Sequence, residues 1–435
     1  MSTNQSLKPI TTERNGNLYI GGCDLVELAK KYGTPLYVMD EKTLRSICKE
    51  YQEAFRKYNN VKMMYASKAL SSLAIAKIIA QEGFGFDTVS AGEIYTIYKA
   101  GIDMSKVLFN GNNKTRKEIE FAIDLNIGRF SVDNFYEAEL LNTIAKEKNK
   151  TISILLRITP GIECHTHDYI QTGQIDSKFG FDFAQIDNVV NLIQNKFKNL
   201  SLKGLHAHIG SQIFELQSYK DEVQVLITEL KRLNKNFSLK LNELNIGGGL
   251  GVKYTEKDEP PSVFELADAI GEALKMASDD ITLYLEPGRS IVSTAGVTLY
   301  TVGSSKQVTD GRKYVAIDGG MADNPRPSMY QAEYSAEVAG VNNNEKELIT
   351  LAGRFCESGD ILIENIELPK LSSGDIICVY NTGAYNYSMA SNYNRVEKPA
   401  MVLVNSAQSD MIVSRESLDD LIARENIPDR LKQEW

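Results

Sequence analysis

The stretch MMYASKAL, residues 63–70, is an apolar run that ends abruptly at Ser67 and Lys68. It belongs to a series of eight runs, each ending in polar or glycine residues and followed by a segment with helical spacing. The eight runs are VKMMYA, GFGFDTV, KVLFN, GRFSVD, ISILLRI, KGLHAHI, LNELNIG and ITLYLEP. Because parallel neighbouring strands require a crossover helix each time, this alternation predicts an α/β fold, a (β/α)8 barrel of the TIM type. An open doubly wound sheet is the alternative.

The pattern changes after about residue 290, where short β runs separated by Gly, Asn and Asp extend from GVTLYTVGS to AMVLVNS. They predict a second, antiparallel β domain of β-sandwich or Greek-key type. The expected domains are residues 41–290 for the barrel, and residues 1–40 plus 291–435 for the β domain. Two early runs, NLYIGG and TPLYVMD, precede the barrel and could add strands to it. The long segment GIECHTHDYIQTGQIDSKFG is interpreted as a functional βα loop.

Composition and charge exclude several classes of function. The 435 residues carry a formal charge of -9 and form no basic stripe, so a nucleic-acid partner is not expected. The N-terminal sequence is polar, and no run of about 18 apolar residues occurs, which predicts a soluble, cytoplasmic protein without a membrane partner. The five scattered cysteines favour free thiols in a reducing compartment over a disulfide framework.

Polar residues follow the predicted strands, at the end of a barrel where chemistry takes place. Lys68 is a primary amine just beyond a buried run, and partial desolvation lowers the pKa of an ammonium, which favours a neutral amine able to form a Schiff base. The alternative is a lysine that ends the strand and reaches solvent. The other residues at these ends are Asp87, Ser90, Asn110, Arg157, His208, Gly247, Gly248, Gly249 and Glu286.

Three turns that contain glycine, HIGSQ, NIGGGLG and EPGR, follow the sixth, seventh and eighth runs. This is the usual place of a phosphate site in such barrels, so a phosphorylated cofactor or substrate is predicted. Glu286 could hold a pyridine nitrogen in its protonated form and so favour carbanion-forming chemistry. Its alternative role is an ion pair with Arg289.

The sequence HAH offers a different class of function, a metal-dependent hydrolase. His206 and His208 alternate along a predicted strand and would point to one face. A metal would need further ligands, and the only other histidines, His165 and His167, lie in the long insertion. No metal is therefore predicted.

Eleven motifs together resemble the fold type III decarboxylases that use pyridoxal 5′-phosphate, in particular the diaminopimelate decarboxylase family. They are YASKA, DTVSAGE, GNNK, THDYIQTG, SKFG, HAHIGSQ, NIGGGLG, EPGRS, NPRPSMY, CESGD and GAYNYSMASNYN. The resemblance covers nearly the whole chain. It implies decarboxylation of meso-2,6-diaminopimelate to L-lysine, the last step of lysine biosynthesis.

The resemblance also implies roles for individual residues. Lys68 would bind pyridoxal 5′-phosphate covalently, His208 would stack on its ring, and Cys356 would protonate the carbanion, which makes these three the expected catalytic residues. The implied cofactor-binding residues are Lys68, Asp87, His208, Ser211, Gly248, Gly249, Glu286, Gly288, Arg289 and Tyr385. The implied substrate-binding residues are Arg289, Arg326, Tyr330, Glu357 and Tyr385.

The family works as a homodimer with shared active sites, in which Cys356 and Glu357 enter the barrel of the partner. One departure from the family is Tyr334, because many relatives carry a histidine there, and we expect its effect to be small. The alternatives are a related decarboxylase of ornithine, arginine or carboxynorspermidine, an amino-acid racemase, and a non-catalytic cofactor carrier. Glu286 counts against a racemase, where an arginine typically faces the pyridine nitrogen, and the β domain counts against a carrier.

Overall fold

The computed structural model describes residues 2–162, 178–277, 280–309, 311–341 and 345–432. The chain divides into two compact units. The first unit contains the residues up to Pro9, Glu41–Ala295 and Gly383–Ser388, and the second contains Ile10–Asp40, Gly296–Thr382 and the residues from Met389 onward. The domain boundaries given above, residues 41–290 and residues 1–40 plus 291–435, stay a prediction.

The second unit begins with a small antiparallel sheet and one helix. The elements are β1 (Thr11–Arg14), β2 (Asn17–Ile20), β3 (Cys23–Asp24), α1 (Leu25–Tyr32) and β4 (Leu36–Asp40). The first three strands pair in the order β1-β2-β3. Asp24 starts the helix because its side chain accepts the backbone N–H groups of Val26 and Glu27, which have no partner inside the helix.

The first unit is a closed barrel of eight parallel strands, which confirms the predicted fold. Its strands are β5 (Val61–Ala66), β6 (Gly85–Thr88), β7 (Val107–Phe109), β8 (Arg129–Val132), β9 (Ile152–Arg157), β10 (Leu200–His206), β11 (Glu243–Asn245) and β12 (Thr282–Leu285). Each overlaps one of the eight apolar runs, and only β10 extends beyond its run, beginning three residues earlier, at Leu200. The pairing of β12 with β5 closes the ring, so the open doubly wound sheet is wrong.

Helices alternate with these strands. They are α2 (Glu41–Phe55), α3 (Leu73–Gln81), α4 (Ala91–Lys99), α5 (Arg116–Asp124), α6 (Phe135–Glu147), α7 (Phe183–Asn195), α8 (Leu216–Phe237), α9 (Val263–Leu274) and α10 (Arg289–Val292). Nearby residues in the sequence determine where these helices begin. Thr115 with Glu118, and Ser262 with Glu265, form reciprocal capping boxes at the starts of α5 and α9. Each helix buries an apolar stripe, as with Ile119, Ala122 and Ile123 of α5.

The remainder of the second unit is a larger sheet with two short helices. Its elements are β13 (Gly296–Gln307), β14 (Lys313–Ile317), α11 (Arg326–Tyr330), β15 (Ala336–Val338), β16 (Lys346–Ala352), β17 (Ile361–Pro369), β18 (Ile376–Val379), β19 (Ala400–Asn405), β20 (Gln408–Val413) and α12 (Leu418–Ile422). The strands follow the order β17-β16-β14-β13-β4-β19-β20, and β18 pairs with β13 and β15. The predicted second β domain is confirmed.

Two details of the β-domain prediction are corrected. NLYIGG and TPLYVMD add no strand to the barrel: the first forms β2 of the small sheet, and the second forms β4, which pairs with β13 and β19. The large sheet is also not purely antiparallel, because β14 pairs with β16 and β4 with β19 in parallel. Strand pairing joins residues distant in the sequence, and local alternation carries no information about which sheet a strand joins.

In the second unit, one apolar cluster joins α1 and the small sheet to the large sheet. Its members are fully or almost fully buried and include Ile20, Leu25, Val38, Leu299, Cys378 and Val402. In the described part of the chain, no helix combines the length and apolarity needed to cross a membrane.

Candidate functional site

Lys68 lies in the single helical turn Ser67–Ala69 that follows β5, and its side chain is exposed at the carboxyl end of the barrel. Desolvation lowers the pKa of its ammonium, but Tyr385 and the nearby carboxyl groups of Asp87 and Glu286 raise it more, so the net shift is upward. The prediction of a lowered pKa is therefore wrong for this environment. It considered desolvation alone, and the carboxyl groups come from other strands.

Asp87 and Glu286 are buried carboxyl groups joined by one amide. Asn110 donates from Nδ2 to Asp87 Oδ1 and, over 3.2 Å, to Glu286 Oε1. Asn245 donates a second hydrogen bond of 2.6 Å to Glu286 Oε1. Asn110 was among the predicted strand-end residues, whereas Asn245 was missed, although an asparagine within the apolar run LNELNIG was a signal for it.

The two carboxyl groups have opposite pKa shifts. Burial raises the pKa of Asp87, and the charge of Glu286 raises it further. Burial also acts to raise the pKa of Glu286, but His206 and the amide of Asn245 stabilise its anion, and the net shift is downward. The site therefore keeps Glu286 ionised, while Asp87 holds a proton more readily.

The two histidines of HAH make different contacts. His206 ends β10, and its Nε2 lies 3.5 Å from Glu286 Oε2. His208 follows the strand, and its Nδ1 accepts the backbone N–H of Gly248 over 3.3 Å. Among the described residues, no group of three His, Cys, Asp or Glu side chains is arranged to hold a metal. His165, His167 and most of the predicted functional loop lie outside the described residues.

The turns HIGSQ and NIGGGLG lie against each other, and two positions require glycine. Gly247 and Gly249 have φ values of 61° and 108°, which other residues rarely adopt. A Cβ on Gly247 would lie 2.6 Å from His208 Nδ1, and one on Gly249 would lie 2.6 Å from the oxygen of Gly210. The backbone can therefore approach a ligand closely here.

Arg289 connects the last of the glycine turns to the first. Its Nη2 donates to Ser211 Oγ and its Nη1 donates to the hydroxyl of Tyr254, each over 2.9 Å. Its Nε is buried and has no hydrogen-bond partner among the described residues. The sequence offered no signal for Tyr254.

Tyr385 also belongs to this site. Its ring centroid lies 4.8 Å from the guanidinium carbon of Arg289. Its N–H donates to the oxygen of Ala69 over 2.8 Å, next to the turn that carries Lys68, and its φ is 63°. A non-glycine residue such as Tyr385 in the left-handed region costs energy, and such residues cluster at functional sites.

Gly288 lets the chain pass close to β5, because a Cβ at this position would lie 2.9 Å from Cβ of Ala66.

The other predicted residues lie in the second unit. Cys356 and Glu357 are exposed on the loop between β16 and β17. The N–H of Cys356 donates to Asn394 Oδ1 over 3.0 Å, and the hydroxyl of Tyr393 donates to Glu357. Asn394 and Tyr393 come from the motif GAYNYSMASNYN, so the structure brings the motifs CESGD and GAYNYSMASNYN together.

Arg326 and Tyr330 are both carried by α11. Arg326 is buried, and its Nη1 donates to the hydroxyl of Tyr334 over 2.7 Å. Tyr334, the departure from the family pattern, is thus a direct partner of a predicted substrate-binding residue. Tyr330 is half-buried.

The chain is similar to known proteins over nearly its whole length. Residues 42–293 match the family described as pyridoxal-dependent decarboxylase, pyridoxal binding domain. Diaminopimelate decarboxylase of Synechocystis sp. is 47% identical over 99% of this chain and 95% of that protein, and that of Bacillus subtilis is 44% identical over 94% and 95%. The crystal structure of diaminopimelate decarboxylase from M. jannaschii in complex with L-lysine is 36% identical and has a TM-score of 0.92, covering 99% of this chain and 100% of that one.

Proposed function

Because this chain belongs to the diaminopimelate decarboxylases within the pyridoxal-dependent decarboxylase family, we propose that it converts meso-2,6-diaminopimelate into L-lysine and carbon dioxide. This reaction is the last step of lysine biosynthesis. The observation that carries the proposal is Lys68, whose amine interacts electrostatically with the buried anionic carboxylate of Glu286 at the carboxyl end of the barrel.

The residues of the barrel fit pyridoxal 5′-phosphate. The close approach of the backbone at Gly247 and Gly249, with Ser211 and the buried Nε of Arg289, offers donors for a phosphate. Lys68 offers an amine for an aldehyde, and Glu286 offers an anion for a pyridine nitrogen. Asp87 and His208 would complete the contacts.

The cofactor, when bound, supplies an electron-withdrawing ring that stabilises the carbanion left by decarboxylation. The chain supplies the charges and protons around it. Glu286 keeps its negative charge because neutral donors surround it, and it thereby favours a protonated ring nitrogen. The thiol of Cys356 donates the proton to the substrate carbon that has lost carbon dioxide.

Substrate selection depends on the end of the molecule that does not react. Arg289, Arg326 and Tyr330 would bind the distal carboxylate, since a guanidinium matches a carboxylate with two parallel hydrogen bonds. Glu357 would bind the distal ammonium, and Tyr385 would contact both cofactor and substrate. Lysine and ornithine lack the second carboxylate and would leave buried arginines unpaired, which can cost about 10⁴-fold in rate.

The protein acts as a homodimer in this proposal, with Cys356 and Glu357 serving the barrel of the partner. The exposure of both side chains on one loop is consistent with a role toward a second chain.

The proposed function is tested by measuring carbon dioxide release from meso-diaminopimelate beside ornithine, lysine and arginine. We expect release from meso-diaminopimelate alone among the four at equal concentration. Comparable release from ornithine would favour a related decarboxylase. In parallel, borohydride reduction should attach the cofactor to the wild-type protein and not to Lys68→Ala; attachment in the variant would refute the role of Lys68.

A further inference from the structure

Three buried side chains at the carboxyl end of the barrel form a line, and two of them, Ser131 and His206, have no role in the proposed function. Ser131 lies on β8, His206 ends β10, and Glu286 follows β12. Ser131 Oγ lies 2.7 Å from His206 Nδ1, and His206 Nε2 lies 3.5 Å from Glu286 Oε2. Ser131 and His206 are each 1% exposed, so water does not compete for these contacts.

The contacts select one tautomer of His206. Burial lowers the pKa of this imidazole, which favours its neutral form with a single N–H. A proton on Nδ1 would leave the lone pair of Nε2 facing the negative carboxylate of Glu286. A proton on Nε2 instead lies near the carboxylate at 3.5 Å, where the attraction is electrostatic rather than a close hydrogen bond, and the hydroxyl of Ser131 can then donate to Nδ1.

Ser131 is itself held from the other side. Lys114 donates to the oxygen of Ser131 over 2.7 Å and to Glu137 Oε1 over 2.6 Å. The ammonium of Lys114 and the carboxylate of Glu137 are almost completely buried, at 1% and 2% side-chain exposure. This buried ion pair fixes the backbone that carries the serine hydroxyl, so the whole line is rigid.

His206 has a distinct task among the partners of Glu286. The amides of Asn110 and Asn245 both donate to Oε1, whereas His206 lies against Oε2. The two amide donors and the neutral imidazole carry no net charge. They can orient the carboxylate and leave its negative charge in place. A lysine or arginine in the same position would neutralise that charge.

We propose that Ser131 and His206 are positioning residues that orient Glu286 and keep its negative charge available to the cofactor's ring nitrogen. This inference rests on the proposed function, because it assumes that a pyridine nitrogen faces Glu286. The tautomer of His206, however, is a property of the chain and can be measured separately.

The first test is the nitrogen NMR spectrum of the holoenzyme labelled with 15N-histidine. We expect the imidazole of His206 to be neutral with its proton on Nε2 between about pH 6.5 and 8, the range in which a free imidazole titrates. The loss of this signal in His206→Phe assigns it. If the signal that His206→Phe removes comes from a doubly protonated imidazole, or from one with its proton on Nδ1, the proposal is overturned.

The second test uses cofactor labelled with 15N in its ring. In Ser131→Ala and His206→Phe, we expect the ring-nitrogen signal to move toward the unprotonated form and kcat to fall by about 10-fold or more at unchanged KM. His206→Gln keeps an N–H donor and should restore part of both. Thr88→Val is the matched control, since Thr88 is a buried strand-end residue whose hydroxyl donates only to the oxygen of Leu108 among the described residues.

An unchanged ring-nitrogen signal in both Ser131→Ala and His206→Phe would refute the positioning role. A shift of the same size in Thr88→Val would also refute it, because the effect would then be general to loss of a buried hydroxyl. If the wild-type protein does not decarboxylate meso-diaminopimelate but His206 shows the expected tautomer, the proposed function fails and the arrangement of the three side chains stands.

Discussion

Individual side chains at the barrel rim are tuned by what surrounds them rather than by their own chemistry. Asp87 and Glu286 are both buried carboxyl groups that share the amide of Asn110, yet their pKa values move in opposite directions. The difference arises because His206 and Asn245 stabilise only the anion of Glu286. One group is thus set to carry charge and the other to carry a proton.

We predict that Glu286→Ala still binds the cofactor but decarboxylates about 100-fold more slowly, the usual scale for the loss of one preorganised electrostatic contact. The carboxylate acts on the high-energy carbanion more than on the bound ground state. Cofactor absorbance and carbon dioxide release measure the two effects. Glu243→Gln, a change to a carboxylate that pairs with Arg129 instead, should keep its rate, and unchanged turnover in Glu286→Ala would refute the role.

Glu222 of α8 is a buried carboxyl group with no assigned role. It is fully buried, and neither oxygen has a hydrogen-bond partner among the described residues. Burial raises its pKa, and the charge of Glu286 adds to the shift. A folded-state pKa above the unfolded one means that its contribution to stability is greatest at acid pH and is lost as pH rises through the folded-state value.

We therefore predict that Glu222→Met is more stable than the wild type at pH 8, by about 1–3 kcal/mol in the free energy of unfolding. The gain should shrink at pH 5, and urea unfolding at both values measures it. Glu229→Met serves as the control. Glu229 pairs with Arg232 over 2.7 Å, so this variant should be less stable than the wild type at both pH values. Equal stability of Glu222→Met and wild type at pH 8 would contradict the prediction.

At the scale of elements, the loop between β16 and β17 is held by one carboxylate. Asp360 accepts the N–H of Met321 over 2.7 Å and that of Phe355 over 2.8 Å. A Cβ on Gly320 or Gly353 would lie 2.4 Å or 2.1 Å from this carboxyl group, so both glycines make room for it. The result is a tight loop that presents Cys356 to solvent.

We predict that Asp360→Ala destabilises the second unit by about 1–3 kcal/mol, because two backbone donors lose their acceptor. It should also lower kcat, since Cys356 loses its fixed position, while Asp360→Asn keeps an acceptor oxygen and retains part of both. Denaturant unfolding and carbon dioxide release provide the measurements. Asp375→Ala removes a similar contact, to the N–H of Ser372, and should leave kcat unchanged; wild-type kcat in Asp360→Ala would contradict the prediction.

At the scale of the whole molecule, each unit is assembled from separate stretches of chain. The second unit takes residues from both sides of the barrel in the sequence, and Gly383–Ser388 returns to the first unit with Tyr385. The predicted catalytic residues Lys68 and Cys356 fall in different units. A homodimer with shared active sites would combine them across two chains.

This arrangement predicts complementation between inactive variants. Lys68→Ala and Cys356→Ala should each be inactive alone, and mixing equal amounts under conditions that exchange subunits should restore about a quarter of wild-type activity. About half of the dimers would then be mixed, and one of the two active sites in each mixed dimer would be intact. Carbon dioxide release before and after exchange measures the recovery. Mixtures of Lys68→Ala with Lys68→Arg should stay inactive, and no recovery in the first mixture would refute shared sites.

Much of this architecture could be predicted before any coordinates because it depends on short-range patterns. Eight apolar runs with helical segments between them require crossovers, and a ring of parallel strands is one of the few ways to bury all of them. Gly247 and Gly249 could be predicted to form tight turns for the same reason, because a backbone angle that excludes other residues is a local property. The motifs that follow the strands could be placed at one end of the barrel, because all parallel strands run in the same direction.

Only the tertiary structure decides which residues far apart in the sequence come close together. Ser131 and His206 are 75 positions apart, and Asn245 and Glu286 are 41 apart, so no local pattern could pair them. The pKa of Lys68 rises because Tyr385, Asp87 and Glu286, which are distant in the sequence, lie around it. The strand β4 joins β13 and β19 through pairings that alternation does not encode. Periodicity determines what each segment becomes, whereas strand register and packing determine which side chains meet, and electrostatic interactions depend on that meeting.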